Sequence, residues 1–132
     1  MSDVVMATVL LEHGIQPSAQ RLAVAAFVLV TDTHPSADQV LAVVRSRDAS
    51  VSRATVYNTL HTFVEHGLLR ELTIAGTRVV FDPRMEPHHH FVDDDTGVVS
   101  DLPLSAFSVE QHTPLDGIEV REVEVVVRGR RR

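Results

Sequence analysis

The chain has 132 residues, a formal net charge of −6, and neither cysteine nor lysine. That length suits one ordinary domain or two very small ones, for which dimerisation is a natural source of extra buried surface. The lack of cysteine excludes disulfides and thiolate-bound zinc, no apolar run reaches the roughly 18 residues of a transmembrane helix, and Met1–Val5 lacks the basic start of a secretory signal, so a soluble cytoplasmic protein is expected.

Four helices are expected first. Val4 to His13 is largely apolar and stops at Gly14. Pro17-Ser18 opens a second helix over Ser18 to Thr31, with Leu22, Ala26, Leu29 and Val30 as its apolar stripe. Ser36 and Gln39 have capping-box spacing for a third helix that runs to Arg47 and buries Val40, Leu41 and Val44. Ser50 or Ser52 caps a fourth, with Val56, Leu60, Phe63 and Val64 on one face and His66-Gly67 at its end.

The periodicity then changes to that of strands. Leu69 to Thr73 and Arg78 to Phe81 flank Ala75-Gly76 as a hairpin. Helices followed by a two-stranded hairpin form the pattern of a winged helix-turn-helix. Asp82 to Pro87, with two prolines, reads as a linker. His88 to Val92 and Val98 to Leu102 flank the turn Asp94 to Gly97, a short helix is expected near Ser105 to Gln111, and Ile118 to Val127 forms a last strand.

Charge is unevenly spread. Residues 1–81 carry six Arg against seven acids, whereas residues 82–132 carry six Arg against eleven. The acidic excess lies where His88, His89 and His90 are clustered, with Asp82 six residues before the first and Asp101 eleven after the last. Imidazoles and carboxylates suit a divalent first-row cation of intermediate softness. On an extended strand His88 and His90 point to one side and can share one ion, while His89 points away, toward solvent or a second ion. Asp93, Asp94 and Asp95 read as a solvated turn, and His13, His61, His66 and His112 as surface histidines. Upstream, Ser52 to Leu60 reads as a DNA-reading helix. Ser52, Arg53, Thr55, Tyr57 and Asn58 lie near its start, Arg53 suited to guanine or phosphate and Asn58 to adenine or phosphate. The alternative is that Ser52 only caps the helix and Tyr57 half-packs in the domain.

An ordered set of residues carries a family resemblance over nearly the whole chain: Gln20-Arg21, His34-Pro35-Ser36-Ala37, Ala54 to Leu60, Phe81-Asp82, His88-His89-His90 and Gly117-Ile118. In these the chain resembles the ferric uptake regulator family. The resemblance implies an α+β fold: an N-terminal winged helix-turn-helix over residues 1–82, then a small α/β dimerisation domain over 83–132. It implies a regulatory metal on His34, Asp82, His88, His90 and Asp101, one divalent ion (Mn²⁺, Fe²⁺ or Zn²⁺) per chain. It also implies that Tyr57 contacts thymine methyls and that Arg21 contacts phosphate, a salt bridge being the other reading of Arg21.

Departures from the family pattern refine the expectation. The first Cys-x-x-Cys pair of a structural zinc falls on Asp93 and Thr96, and the second is missing, so no structural Cys₄ zinc is expected. A further metal site would use Pro87, His89, Glu110 and Val123, of which Pro87 and Val123 are not ligands. These losses, the histidine triplet and the ending Val123 to Arg128 look most like the iron response regulator branch, which implies haem at His88, His89 and His90. Asp101, rather than Glu, also resembles the peroxide-sensing branch.

The resulting expectation is a homodimeric, metal-responsive repressor, without enzymatic activity, that binds double-stranded DNA at an AT-rich inverted repeat and does not enter the membrane. The alternatives are a small metalloenzyme, since three histidines and two carboxylates can activate water at a metal, or a metal or haem carrier.

Overall fold

The computed structural model describes residues 2–74 and 76–132. The chain forms two compact units, Met1–Met85 and Glu86–Arg132.

In the N-terminal unit, four helices run in order: α1 (Asp3–Glu12), α2 (Ala19–Val28), α3 (Ala37–Arg47) and α4 (Arg53–Glu65). Each starts at a serine whose Oγ accepts a backbone N–H from the first turn: Ser2 from Val5, Ser18 from Arg21, Ser36 from Gln39 and Ser52 from Thr55. At Ser36 the Gln39 side chain accepts the Ser36 N–H in return, completing the expected capping box. Helices α1 and α4 end alike. Gly14 and Gly67 adopt φ of 75° and 80°, and the next N–H reaches back five residues, Ile15 to Leu10 O and Leu68 to Phe63 O.

The core of this unit is built from Met6, Leu10, Val28, Val44, Leu60 and Phe63, among others. Helices α3 and α4 bury the faces their sequences indicate: Val40, Leu41 and Val44 on α3, and Val56, Leu60 and Phe63 on α4, with Val64 packed against them. Helix α2 departs from expectation. It stops at Val28 rather than Thr31, and its buried stripe is Val24, Ala25 and Val28, leaving Val30 exposed. Leu22 and Leu29 of the expected stripe still pack partly against the core, so the buried face is offset toward Val24, Ala25 and Val28 rather than reversed.

Strands β1 (Arg70–Leu72) and β2 (Val80–Asp82) form the antiparallel wing, pairing Arg70 with Asp82 and Leu72 with Val80. Of the expected turn, Gly76 has φ 82°, whereas Ala75 lies outside the described residues. Asp82, assigned to the linker from sequence, is instead the buried last residue of β2. The Phe81 N–H donates to Pro35 O at 2.9 Å, fastening β2 to the segment that enters α3.

The C-terminal unit is a three-stranded sheet in the order β4-β3-β5. Strand β3 (His89–Asp93) pairs antiparallel with β4 (Val99–Leu102) and parallel with β5 (Val126–Gly129). Asp94 and Asp95 are exposed, as the acidic run suggests, but Asp93, the last residue of β3, is not. It is buried, and its Oδ1 accepts the Asp95 N–H at 2.9 Å.

The stretch after β4 also differs from expectation. In place of a helix over 105–111 there is one 3₁₀ turn, Leu104–Ala106, and the last strand covers Val126–Gly129 rather than 118–127. Ser, Phe and Val are weak helix formers, so this segment has little intrinsic tendency to coil. Strand β3 is only five residues long and its parallel register starts with His90 opposite Val126, which leaves 118–125 no strand to pair with.

Candidate functional site

Each unit gathers its own share of imidazoles and carboxylates. In the N-terminal unit, the bond from Phe81 to Pro35 brings neighbouring residues 48 positions apart into contact. His34 Nε2 lies 3.1 Å from Asp82 Oδ2, with both side chains buried, and Asp82 Oδ1 accepts the Arg84 N–H at 2.9 Å.

In the C-terminal unit, β3 and β4 place His90 directly opposite Asp101. The Nε2 atoms of His88 and His90 lie 3.0 and 3.5 Å from the same oxygen, Asp101 Oδ1, and the two rings meet edge-on with centroids 4.5 Å apart. Asp101 remains partly exposed while both imidazoles are almost fully enclosed.

The other ring nitrogens determine what this arrangement can hold. His88 Nδ1 is 2.7 Å from Glu86 O, a carbonyl that can only accept, so that nitrogen carries the proton. His90 Nδ1 meets the Glu124 carboxylate and is protonated by the same reasoning. In the neutral rings, both Nε2 lone pairs therefore face a carboxylate oxygen. A proton on either ring would satisfy one of these contacts, whereas a divalent cation would satisfy all three atoms at once, and two imidazoles plus carboxylate oxygen fit Mn²⁺, Fe²⁺ or Zn²⁺.

His89 faces the opposite way. It is buried rather than solvent-facing, its Nδ1 accepts the Val125 N–H at 3.0 Å, and its ring meets Phe107 edge-on at 5.8 Å. Pro87, Glu110 and Val123 form no second cluster with it among the described residues. Glu124 was not apparent from sequence. It lies 34 residues beyond His90, within the stretch expected to form the last strand.

The start of α4 presents the expected nucleic-acid residues. Ser52 caps the helix and its hydroxyl donates to Thr55 Oγ1 at 2.9 Å, while Arg53, Tyr57 and Asn58 are exposed. Arg21 Nη1 donates to Gln16 O at 2.8 Å beside a polar groove of about 390 Å³ that Thr55, Asn58 and Thr62 also line. The residue missed from sequence is Asp38 on α3. Its Oδ1 accepts from both Arg53 Nη1, at 2.6 Å, and Tyr57 Oη, at 2.8 Å. Hydrogen bonds from Tyr57 and then Arg53 hold the Asp38 carboxyl below its ordinary pKa, and the same contacts raise those of Tyr57 and Arg53.

Comparison with known proteins agrees with this architecture. The model of the ferric uptake regulator family matches residues 12–128. The chain is 30% identical over 91 residues to the peroxide-responsive repressor PerR of Staphylococcus aureus, covering 69% of this chain and 62% of that protein. PerR of Staphylococcus saprophyticus is 30% identical over 95 residues, covering 72% and 64%. The chain thus spans less than two thirds of the length of these curated relatives. Among solved structures, the ferric uptake regulator from Pseudomonas aeruginosa with manganese superposes with a TM-score of 0.73 at 22% identity, covering 96% of this chain and 98% of that one. A zinc-bound manganese uptake regulator gives 0.72 at 20% identity, with 99% of each chain covered. Identities this low establish a shared fold and nothing more. A family match over 117 of 132 positions is decisive: the chain belongs to the ferric uptake regulator family.

Proposed function

We propose that this chain is a metal-responsive, DNA-binding transcription repressor that works as a homodimer and is not an enzyme. The observation that carries the reading is the approach of the His88 and His90 Nε2 atoms to Asp101 Oδ1, an arrangement that a divalent cation would suit. His34 and Asp82, buried together at the edge of the wing, supply the two further donors that the family resemblance assigns to the same ion. When bound, a divalent ion supplies the positive charge that all five donors need.

Ligands drawn from both units, as the family resemblance assigns them, would give such a site leverage over DNA binding. His34 and Asp82 belong to the unit that carries α4, and His88, His90 and Asp101 belong to the other. Shared coordination would fix the angle between the units, and in a twofold dimer this sets the separation of the two α4 helices against successive major grooves. Such control requires tighter ion binding in the DNA-competent arrangement than in the others. Arg53, Tyr57 and Asn58 would read bases, Ser52 and Thr55 would sit against the backbone at the helix start, and Arg21 would grip phosphate beside them. The operator is proposed to be an AT-rich inverted repeat. A repressor name among the relatives and manganese and zinc among the related structures support this reading.

The test is anaerobic binding of metal-stripped protein to duplexes selected from a random pool, in chelator and in Mn²⁺ at one fixed salt concentration. The expected result is a large gain in specific affinity with Mn²⁺, absent when His88 and His90 are both alanine. Equal specific affinity in chelator and in Mn²⁺ would overturn metal gating.

A further inference from the structure

From the contacts of the segment that enters β5 we infer that Glu124 and Val125 decide which histidines of the triplet are metal ligands, making His90 a ligand and His89 a non-ligand. This rests on the metal reading above but concerns residues outside the five-donor set.

Two successive residues meet two successive imidazoles with opposite chemistry. The Glu124 side chain is an acceptor and takes the proton on His90 Nδ1. The Val125 backbone N–H is a donor and takes the lone pair on His89 Nδ1 at 3.0 Å. A neutral imidazole carries one proton. His90 therefore has its lone pair on Nε2, the atom 3.5 Å from Asp101 Oδ1, whereas His89 has its proton on Nε2 and its only lone pair engaged by Val125. The segment is itself pinned in register, because the His90 N–H donates to Val125 O at 3.2 Å before the ladder continues as His90 opposite Val126.

Glu124 is thus a positioning residue. A carboxylate on the far nitrogen of a ligating imidazole fixes its tautomer and ring orientation and raises its basicity. His88 obtains the tautomer, but not the charge, from the Glu86 carbonyl at 2.7 Å. His90 is the histidine whose donor strength depends on a replaceable side chain. His89 would have to break its Val125 bond before Nε2 could bind iron, whether as a free ion or in haem.

The experiment uses the full chain and Mn²⁺ competed against a fluorescent chelator. It compares wild type, Glu124→Ala, Glu124→Gln and His90→Ala, and adds proton–nitrogen NMR of the imidazole rings in the Zn²⁺-loaded and metal-free proteins. Glu124→Ala is expected to weaken Mn²⁺ about 10- to 100-fold. Glu124→Gln, which keeps an acceptor without the charge, should weaken it less. In wild type, His90 should show its proton on Nδ1 and His89 on Nε2; Glu124→Ala should disturb the first assignment and leave the second alone. A merely structural role for Glu124 would move neither ring's proton. Should Glu124→Ala fail to fold, Glu124→Gln carries the comparison. If His90→Ala abolishes binding while both Glu124 variants bind like wild type, this inference is overturned and the metal reading stands. If His90→Ala also binds like wild type, the metal reading itself falls.

Discussion

Tyr57 Oη donates to Asp38 Oδ1 at 2.8 Å, linking α4 to α3 through the only tyrosine in the chain. Because tryptophan is absent, the near-ultraviolet phenolate band reports this one contact. Asp38 hydrogen bonding raises the Tyr57 pKa, so the titration midpoint should lie above that of an ordinary tyrosine and fall back toward it in Asp38→Ala. The signs follow. The Tyr57 contribution is complete below the tyrosine's unfolded pKa and is lost as pH rises through its raised value. The Asp38 contribution is complete above the carboxyl's unfolded pKa and is lost as pH falls through its lowered value. A midpoint unchanged by Asp38→Ala would show that the clasp does not form in solution.

Asp38 also places a negative charge against the guanidinium proposed to contact DNA. Releasing Arg53 through Asp38→Ala should raise affinity for unselected duplex and steepen the dependence of log affinity on log salt by about 1, as expected for one extra phosphate contact. Discrimination between the selected operator and unselected DNA should narrow. Binding measured over a salt series with both duplexes checks this, and parallel salt slopes for variant and wild type would contradict it.

Removing the oxygen that two imidazoles share should abolish the ion's effect on stability. At Mn²⁺ one hundredfold above its dissociation constant, the native state gains about 2.7 kcal/mol. For Asp101→Ala at the same concentration, the thermal shift should be nearly absent. Calorimetry with and without Mn²⁺ measures the difference directly.

Gly67 closes α4 at φ 80°, and a Cβ built there would meet nothing within 4 Å. Gly67→Ala therefore tests backbone strain without a steric clash, with an expected loss of about 1–2 kcal/mol. Gly14→Ala, whose Cβ would meet the His66 ring at 3.7 Å, should cost a similar amount. Urea denaturation with unchanged m-values would confirm both; no loss in either would mean that the helix ends relax to another geometry.

Between the 3₁₀ turn and β5, the side chains of Ile118, Val120 and Val123 are 62%, 49% and 55% exposed. Burial against a second copy is the proposed role of this apolar run. Ile118→Glu combined with Val123→Glu should convert the proposed dimer to monomer in sedimentation experiments while leaving the Tyr57 titration of the other unit intact. A dimer that survives both substitutions would place the interface elsewhere.

Sequence made legible those features whose cause is local. Serine caps, glycine stops and the apolar faces of α3 and α4 all depend on residues within a turn or two of each other, and so does the same-side placement of His88 and His90 on a strand. What it concealed depends on contacts made at long range. The buried face of α2 is offset from the expected stripe, because which of its apolar residues are covered depends on the helices packed against it. Asp38 reaches Tyr57 across 19 positions and Glu124 reaches His90 across 34, and neither acid differs in type or spacing from an ordinary solvated one. The shortness of β5 follows from the length of β3 rather than from the valines around it.

The parallel pairing of β3 with β5 imposes an order in time. His88 and His90 meet Asp101 across a compact antiparallel hairpin, which forms quickly. The partner that orients His90 arrives only after the intervening chain has closed a long loop onto a strand running the same way, and such non-local parallel pairing is slow to form. The ligands are thus brought together by a local hairpin, whereas the carboxylate on the far nitrogen of His90 depends on the sheet's one non-local pairing.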